Sequence, residues 1–183
     1  MTHNIKKQYI FDFFKGKSFI QDFNDETLVI EETKNEEKVK DPLRFLTIGM
    51  FNKDSQYWIV DTESKAFQLQ GNKVEKVILE QTSNGVLNIV MVEMKSKKID
   101  DNKVINKFKK SLEFIYILLH LLEGKANQSI NVFGILVAQK DMQWNYQHNL
   151  KIFNATSIRY SKRSFFTEEA QIELDYQDIV AKV

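Results

Sequence analysis

At 183 residues and 43% hydrophobic content, the chain is long enough to bury a substantial core within a single domain spanning residues 1–183. It has no cysteine, which excludes a disulfide framework or a thiolate metal site and suits a reducing compartment. A formal net charge of +1 excludes a broadly basic coat, so any contact with nucleic acid has to use a local patch.

The first residues, MTHNIKKQYIFDFF, lack the long apolar run of a signal peptide, and the most apolar later helix is interrupted by charge. The expectation is a cytoplasmic protein with no membrane partner. Ile5, Tyr9, Ile10, Phe13 and Phe14 recur at helical spacing and predict an amphipathic helix ending near Gly16. Thr27 to Ile30 predicts a short strand, and the almost wholly charged stretch from Glu31 to Lys40 reads as solvated loop or frayed helix. After Pro42, LRFLTIGMF predicts a strand with a turn at Asn52-Lys53-Asp54, and QYWIVDT with KAFQLQ predicts a hairpin. These segments are expected to form an antiparallel meander leading into the centre of the chain.

The centre is KVEKVILE, a polar break ending in Asn84-Gly85, and VLNIVMVEMK. Asn-Gly is a strong hairpin signal. Ile89 to Val92 is apolar without alternation, as in a strand buried on both faces. Glu93 and Lys95 share one face of that strand, since side chains alternate with period 2. If the loop is Ser83-Asn84-Gly85 with the glycine left-handed, Thr82 pairs with Val86 and Glu75 falls opposite Glu93, their β-carbons roughly 5 Å apart. If it is Asn84-Gly85 alone, the register moves by one and Glu75 lands on the wrong face.

A long helix follows, with Asp100, Asp101 or Asn102 as N-cap candidates and an apolar stripe through Val104, Ile105, Phe108, Leu112, Ile115, Leu119 and Leu122. Lys103, Lys107, Lys109 and Lys110 around its first half read as a solvated face or as contacts to a phosphate backbone, together with Lys97 and Lys98 just before it. Past Phe114 it is apolar nearly all round, which calls for cover from the rest of the domain or from a second copy. Ile130 to Val137 predicts another buried strand, and LKIFNATSIRY one more. Arg159, Lys162 and Arg163, interleaved with Tyr160, Phe165 and Phe166, form the best local candidate for nucleic acid, because cations meet phosphates while rings stack on bases. The tail after Thr167 is compatible with helix or strand. No phosphate-loop, dinucleotide, nucleophile-elbow or zinc-protease motif is present.

The acid of VEKVIL, the ExK of VEMKS, the helix KFKKSLEFIYILLHLL and the returning strand INVFGILVAQ together resemble the PD-(D/E)xK nuclease superfamily, over about residues 71–140. The resemblance implies an α/β (α+β) fold of restriction-endonuclease-like type, with a central mixed β-sheet flanked by helices. It implies Glu75 and Glu93 as ligands of Mg²⁺ or Mn²⁺, Lys95 as the catalytic lysine, and DNA or RNA as substrate. The first acid of that pattern is commonly aspartate; here it is Glu75, with Asp61 as the alternative. Glu31, Glu32, Glu36 and Glu37 are candidates for an extra ligand from upstream. The alternative function is a catalytically inactive scaffold that binds a protein partner or forms a homodimer.

Overall fold

The computed structural model describes residues 20–32, 43–62, 73–96, 101–123, 130–139, 158–167 and 169–181. Nine strands and two helices are defined within them: β1 (Ile20–Phe23), β2 (Leu28–Glu31), β3 (Phe45–Gly49), β4 (Gln56–Asp61), β5 (Lys76–Gln81), β6 (Leu87–Lys95), α1 (Asp101–Glu123), β7 (Ile130–Gln139), β8 (Ile158–Thr167), β9 (Gln171–Asp175) and α2 (Tyr176–Val180). The fold is α+β, built on a mixed six-stranded sheet of order β1-β4-β5-β6-β7-β8 and a three-stranded sheet of order β2-β3-β9. β1, β4, β5 and β6 pair antiparallel, whereas β6, β7 and β8 run parallel. A parallel step needs a crossover, and α1 supplies it between β6 and β7.

β6 is central, and eight of its nine residues are buried. Odd and even positions face two different cores. Ile89 and Met91 pack with Val77, Leu79 and the α1 residues Val104, Phe108, Leu112 and Ile115. Val90, Val92 and Met94 pack with Ile30, Leu46 and Ile48 of the small sheet and with Tyr176 and Ile179 of α2. Burial of each such side chain contributes on the order of 2 kcal/mol, so the absence of alternation in IVMV follows from cover on both faces.

The structure departs from the expected meander at β3. That strand leaves the central sheet and pairs antiparallel with β2 and parallel with β9, while QYWIVD of β4 pairs directly with β5. The small sheet and α2 thus cover the face opposite α1. The expected N-terminal helix, KAFQLQ, Lys97, Lys98, Glu36, Glu37 and residues 150–157 lie outside the described residues. In the tail, IELD is strand β9 and YQDIV is helix α2.

Candidate active site

The hairpin between β5 and β6 decides where the acids stand. Gln81 pairs with Leu87 and Lys76 with Val92, the Thr82 N–H donates to the Val86 carbonyl at 3.0 Å, and the Gly85 N–H donates to the Thr82 carbonyl at 3.0 Å. Gly85 has φ +86°, the left-handed conformation that glycine adopts without a Cβ penalty. This is the three-residue loop; the two-residue register is not formed. The paired register ends at Lys76 and Val92, one residue short of Glu75 and Glu93. The last step slips slightly, because the Glu75 N–H donates to the Val92 carbonyl at 3.1 Å.

The backbone entering β5 is pinned from two sides. Ser111 of α1, fully buried, accepts the Val74 N–H at 2.9 Å, and the Thr62 hydroxyl donates to the Val74 carbonyl. Glu75 is thereby held in a buried position, 6% exposed, and one of its oxygens accepts the Met94 N–H at 3.1 Å. Burial, and then the negative charge of Glu93, push its carboxyl up to about 8.

Glu93 has no exposed surface, and its Oε1 receives two ammonium groups, Lys95 at 2.7 Å and Lys107 at 2.5 Å. Burial pulls the Lys95 ammonium down, but the charge and hydrogen bond of Glu93, then the charges of Glu75 and Glu32, outweigh it and raise its pKa above the ordinary lysine value. Lys107 corrects the sequence reading: it belongs neither to a solvated face nor to a surface phosphate contact, because it is 9% exposed and points under the helix. The signal for it lay in the helix period, since Lys107 stands three residues after Val104 and four before Ser111, within the stripe that meets the sheet. Lys103 and Lys109 are exposed and Lys110 is half-buried. Burial and then the charge of Lys110 pull the Lys73 ammonium below its ordinary value.

Of the upstream acids, Glu32 approaches the site. Its carboxylate is hydrogen-bonded by the Ser96 hydroxyl, next to Lys95, and its charge acts on both Glu75 and Lys95. Glu31 is exposed on β2. Asp61 pairs instead with Lys76 at 2.9 Å, at a β4 position of the opposite parity to the α1-facing Trp58 and Val60. Glu75 is therefore the acid that joins Glu93.

Arg159, Lys162 and Arg163 lie along β8, an edge of the large sheet, two strands from β6. The registers set Arg163 level with Val92, beside Glu93, and Arg159 level with Asn88, near the other end of β6. At about 3.3 Å per residue the block runs for roughly 13 Å along the strand, from the level of Asn88 to that of Val92, the neighbour of Glu93. A cavity of about 770 Å³ opens at the opposite end of the sheet, around residues 23–27 and 49–57, and none of the site residues lines it.

Among the described residues, no group of three or more His, Asp or Glu side chains is arranged to hold a metal ion. The donor set is two carboxylates, and Glu93 Oε2 is a buried oxygen with no hydrogen-bond partner. A hard divalent ion that keeps several waters fits this set, since Mg²⁺ usually takes only one or two protein carboxylates. Comparison with known proteins returned nothing: no family model, no curated protein and no solved structure matches the chain.

Proposed function

We propose that this protein is a metal-dependent nuclease of the PD-(D/E)xK type, hydrolysing phosphodiester bonds of DNA or RNA. The observation that carries the reading is that Glu75, bonded to the Met94 N–H, stands beside the Glu93–Lys95 pair at the end of the central strand. Two buried carboxylates beside an ammonium need a reason, because each buried charge costs several kcal/mol of desolvation. In this reading Glu75 and Glu93 hold Mg²⁺ or Mn²⁺. The bound ion supplies charge neutralisation on the phosphate and a water of lowered pKa. Lys95 orients the attacking water and stabilises negative charge growing on the phosphate oxygens. The water oxygen bonds to phosphorus, the bond to one sugar oxygen breaks, and that oxygen leaves with the electron pair and takes a proton. The products are a phosphate monoester and a free hydroxyl.

A specific observation favours a second reading, a catalytically inactive scaffold serving protein interaction. Lys107 already gives Glu93 a second ammonium partner, as a purely structural charge cluster would. The test is divalent-dependent cleavage of plasmid DNA and of single-stranded RNA by wild type, Glu93→Ala and Lys95→Ala. The nuclease reading expects cleavage with Mg²⁺ or Mn²⁺ that falls by about 100-fold or more in each variant. No cleavage of either substrate, with the protein folded and the metal titrated, favours the scaffold.

A further inference from the structure

We propose that the cavity at the end of the sheet away from Glu75 and Glu93 is a second binding site, and that it takes a flat aromatic ligand carrying a positive charge, an aromatic ammonium. The inference stands apart from the nuclease reading, since none of the acids or lysines of that site lines the cavity.

Three observations converge on it. The first is the size of the space and the nature of its wall. At about 770 Å³ it falls in the range that holds small organic molecules, and Phe23, Phe51 and Tyr57 line it. Phe51 stacks on Tyr176 at 4.8 Å and meets Phe23 and Tyr57 at steep angles, at 4.9 and 5.0 Å. The Tyr57 hydroxyl accepts the Asn52 N–H and donates to Glu80, each at 3.0 Å, so this wall is fixed before a ligand arrives. Phe51 is only half-buried, which leaves part of its ring open to a flat partner.

The second observation is Met50, also in the lining. Among the described residues it is the one non-glycine with a positive φ, +57°, and it is 68% exposed. A left-handed backbone is unfavourable for any residue with a Cβ, and the adjacent Gly49, which could adopt it freely, does not. Strain of this kind clusters at ligand clamps, where the side chain it presents has a use. A thioether on the rim of an aromatic pocket packs favourably on an aromatic ligand. The third observation is charge. The lining carries the carboxylates of Asp25 and Glu26 against the single ammonium of Lys53. Lys53 pairs with Glu26 at 3.7 Å, with both side chains largely exposed, and such a pair is worth little. The surplus negative charge disfavours phosphate or carboxylate ligands, and both the acids and the faces of the rings attract a cation.

The experiment is calorimetric titration of the whole chain with tryptamine, with indole-3-acetate as the same ring bearing a carboxylate and butylamine as the charge without the ring. Tryptamine is expected to bind at about millimolar or tighter, and each of the other two about tenfold more weakly. Two variants at exposed residues separate binding from folding. Met50→Gly relieves the backbone and deletes the thioether, so its Tm is expected to rise by about 2–4 °C while its affinity for tryptamine falls about fivefold. A purely structural methionine does not move stability and binding in opposite directions. Asp25→Asn combined with Glu26→Gln is expected to bring tryptamine and indole-3-acetate to within about threefold of each other. Backbone amide NMR shifts on adding tryptamine are expected at residues 23–27 and 49–57. Failure of wild type to bind tryptamine, equal affinity for indole-3-acetate, or shifts confined to other residues overturns the inference, as does undiminished binding by Met50→Gly.

Discussion

The carboxylate of Glu75 reaches across the end of the central hairpin and accepts the backbone N–H of Met94 at 3.1 Å, the amide that lies between Glu93 and Lys95. One interaction therefore ties the acid of one strand to the ExK of the next. It also gives Glu75 a structural role in joining the two strands. The ladder slips at this step, and the side chain spans the gap to the amide while leaving its second oxygen for other chemistry.

Because burial and Glu93 raise the Glu75 carboxyl to about 8 from an ordinary 4.5, the native state holds a proton that the unfolded chain has already released. The sign is the reverse of the usual salt-bridged acid: the contribution of Glu75 to stability is fully present below pH 4.5, falls as pH rises through the window, and is lost above about 8. The loss attributable to this group is several kcal/mol, at about 1.4 kcal/mol per unit of pKa. In EDTA, melting of wild type between pH 5 and 9 should decline by about 5–10 °C more than that of Glu75→Gln. Parallel pH profiles for the two proteins would contradict the assignment.

Removing Glu93 strands the buried Lys107 ammonium and the half-buried Lys95 ammonium. Glu93→Met is expected to cost about 3–5 kcal/mol in urea unfolding without metal, whereas Glu93→Met with Lys107→Met recovers a large part of it. A double variant that is as unstable as the sum of the singles would show that the two side chains do not act as a pair.

Gly85 has open space where a Cβ would stand, yet its φ is +86°. Gly85→Ala therefore meets no steric neighbour and pays only for the left-handed backbone, about 1–2 kcal/mol. Gly85→Val should cost more, since a β-branched residue is less tolerant of positive φ. Unfolding midpoints of the two variants against wild type provide the check.

On the other face of the sheet, Glu80 is 3% exposed and accepts hydrogen bonds from the hydroxyls of Tyr57 and Tyr176, each at 3.0 Å, and from Asn88 at 2.6 Å. Tyr176 belongs to α2, so this network fastens the end of the chain to the central strands. Tyr176→Phe keeps the ring and removes one donor from a buried carboxylate, with an expected cost of about 2 kcal/mol. Hydrogen exchange should report increased opening of α2 and β9 first, and unchanged exchange there would remove the fastening role.

What the sequence by itself determined were the features governed by local chemistry. The period-2 rule set Glu93 and Lys95 on one face, unbroken apolar residues marked β6 as covered twice, and Asn84-Gly85 announced the hairpin. The sequence left two registers open, because a two-residue and a three-residue loop are both compatible with Asn-Gly. Tertiary structure decided between them, as the positive φ of Gly85 and the cores on both faces of β5 and β6 admit one alignment only. It also decided what no local pattern carries: β3 joining β9 across more than a hundred residues, Glu32 arriving beside Lys95, and Lys107 placed under α1 on Glu93. Those contacts arise from helix and strand packing between segments distant in the chain, and periodicity constrains which face a residue presents but not which partner meets it.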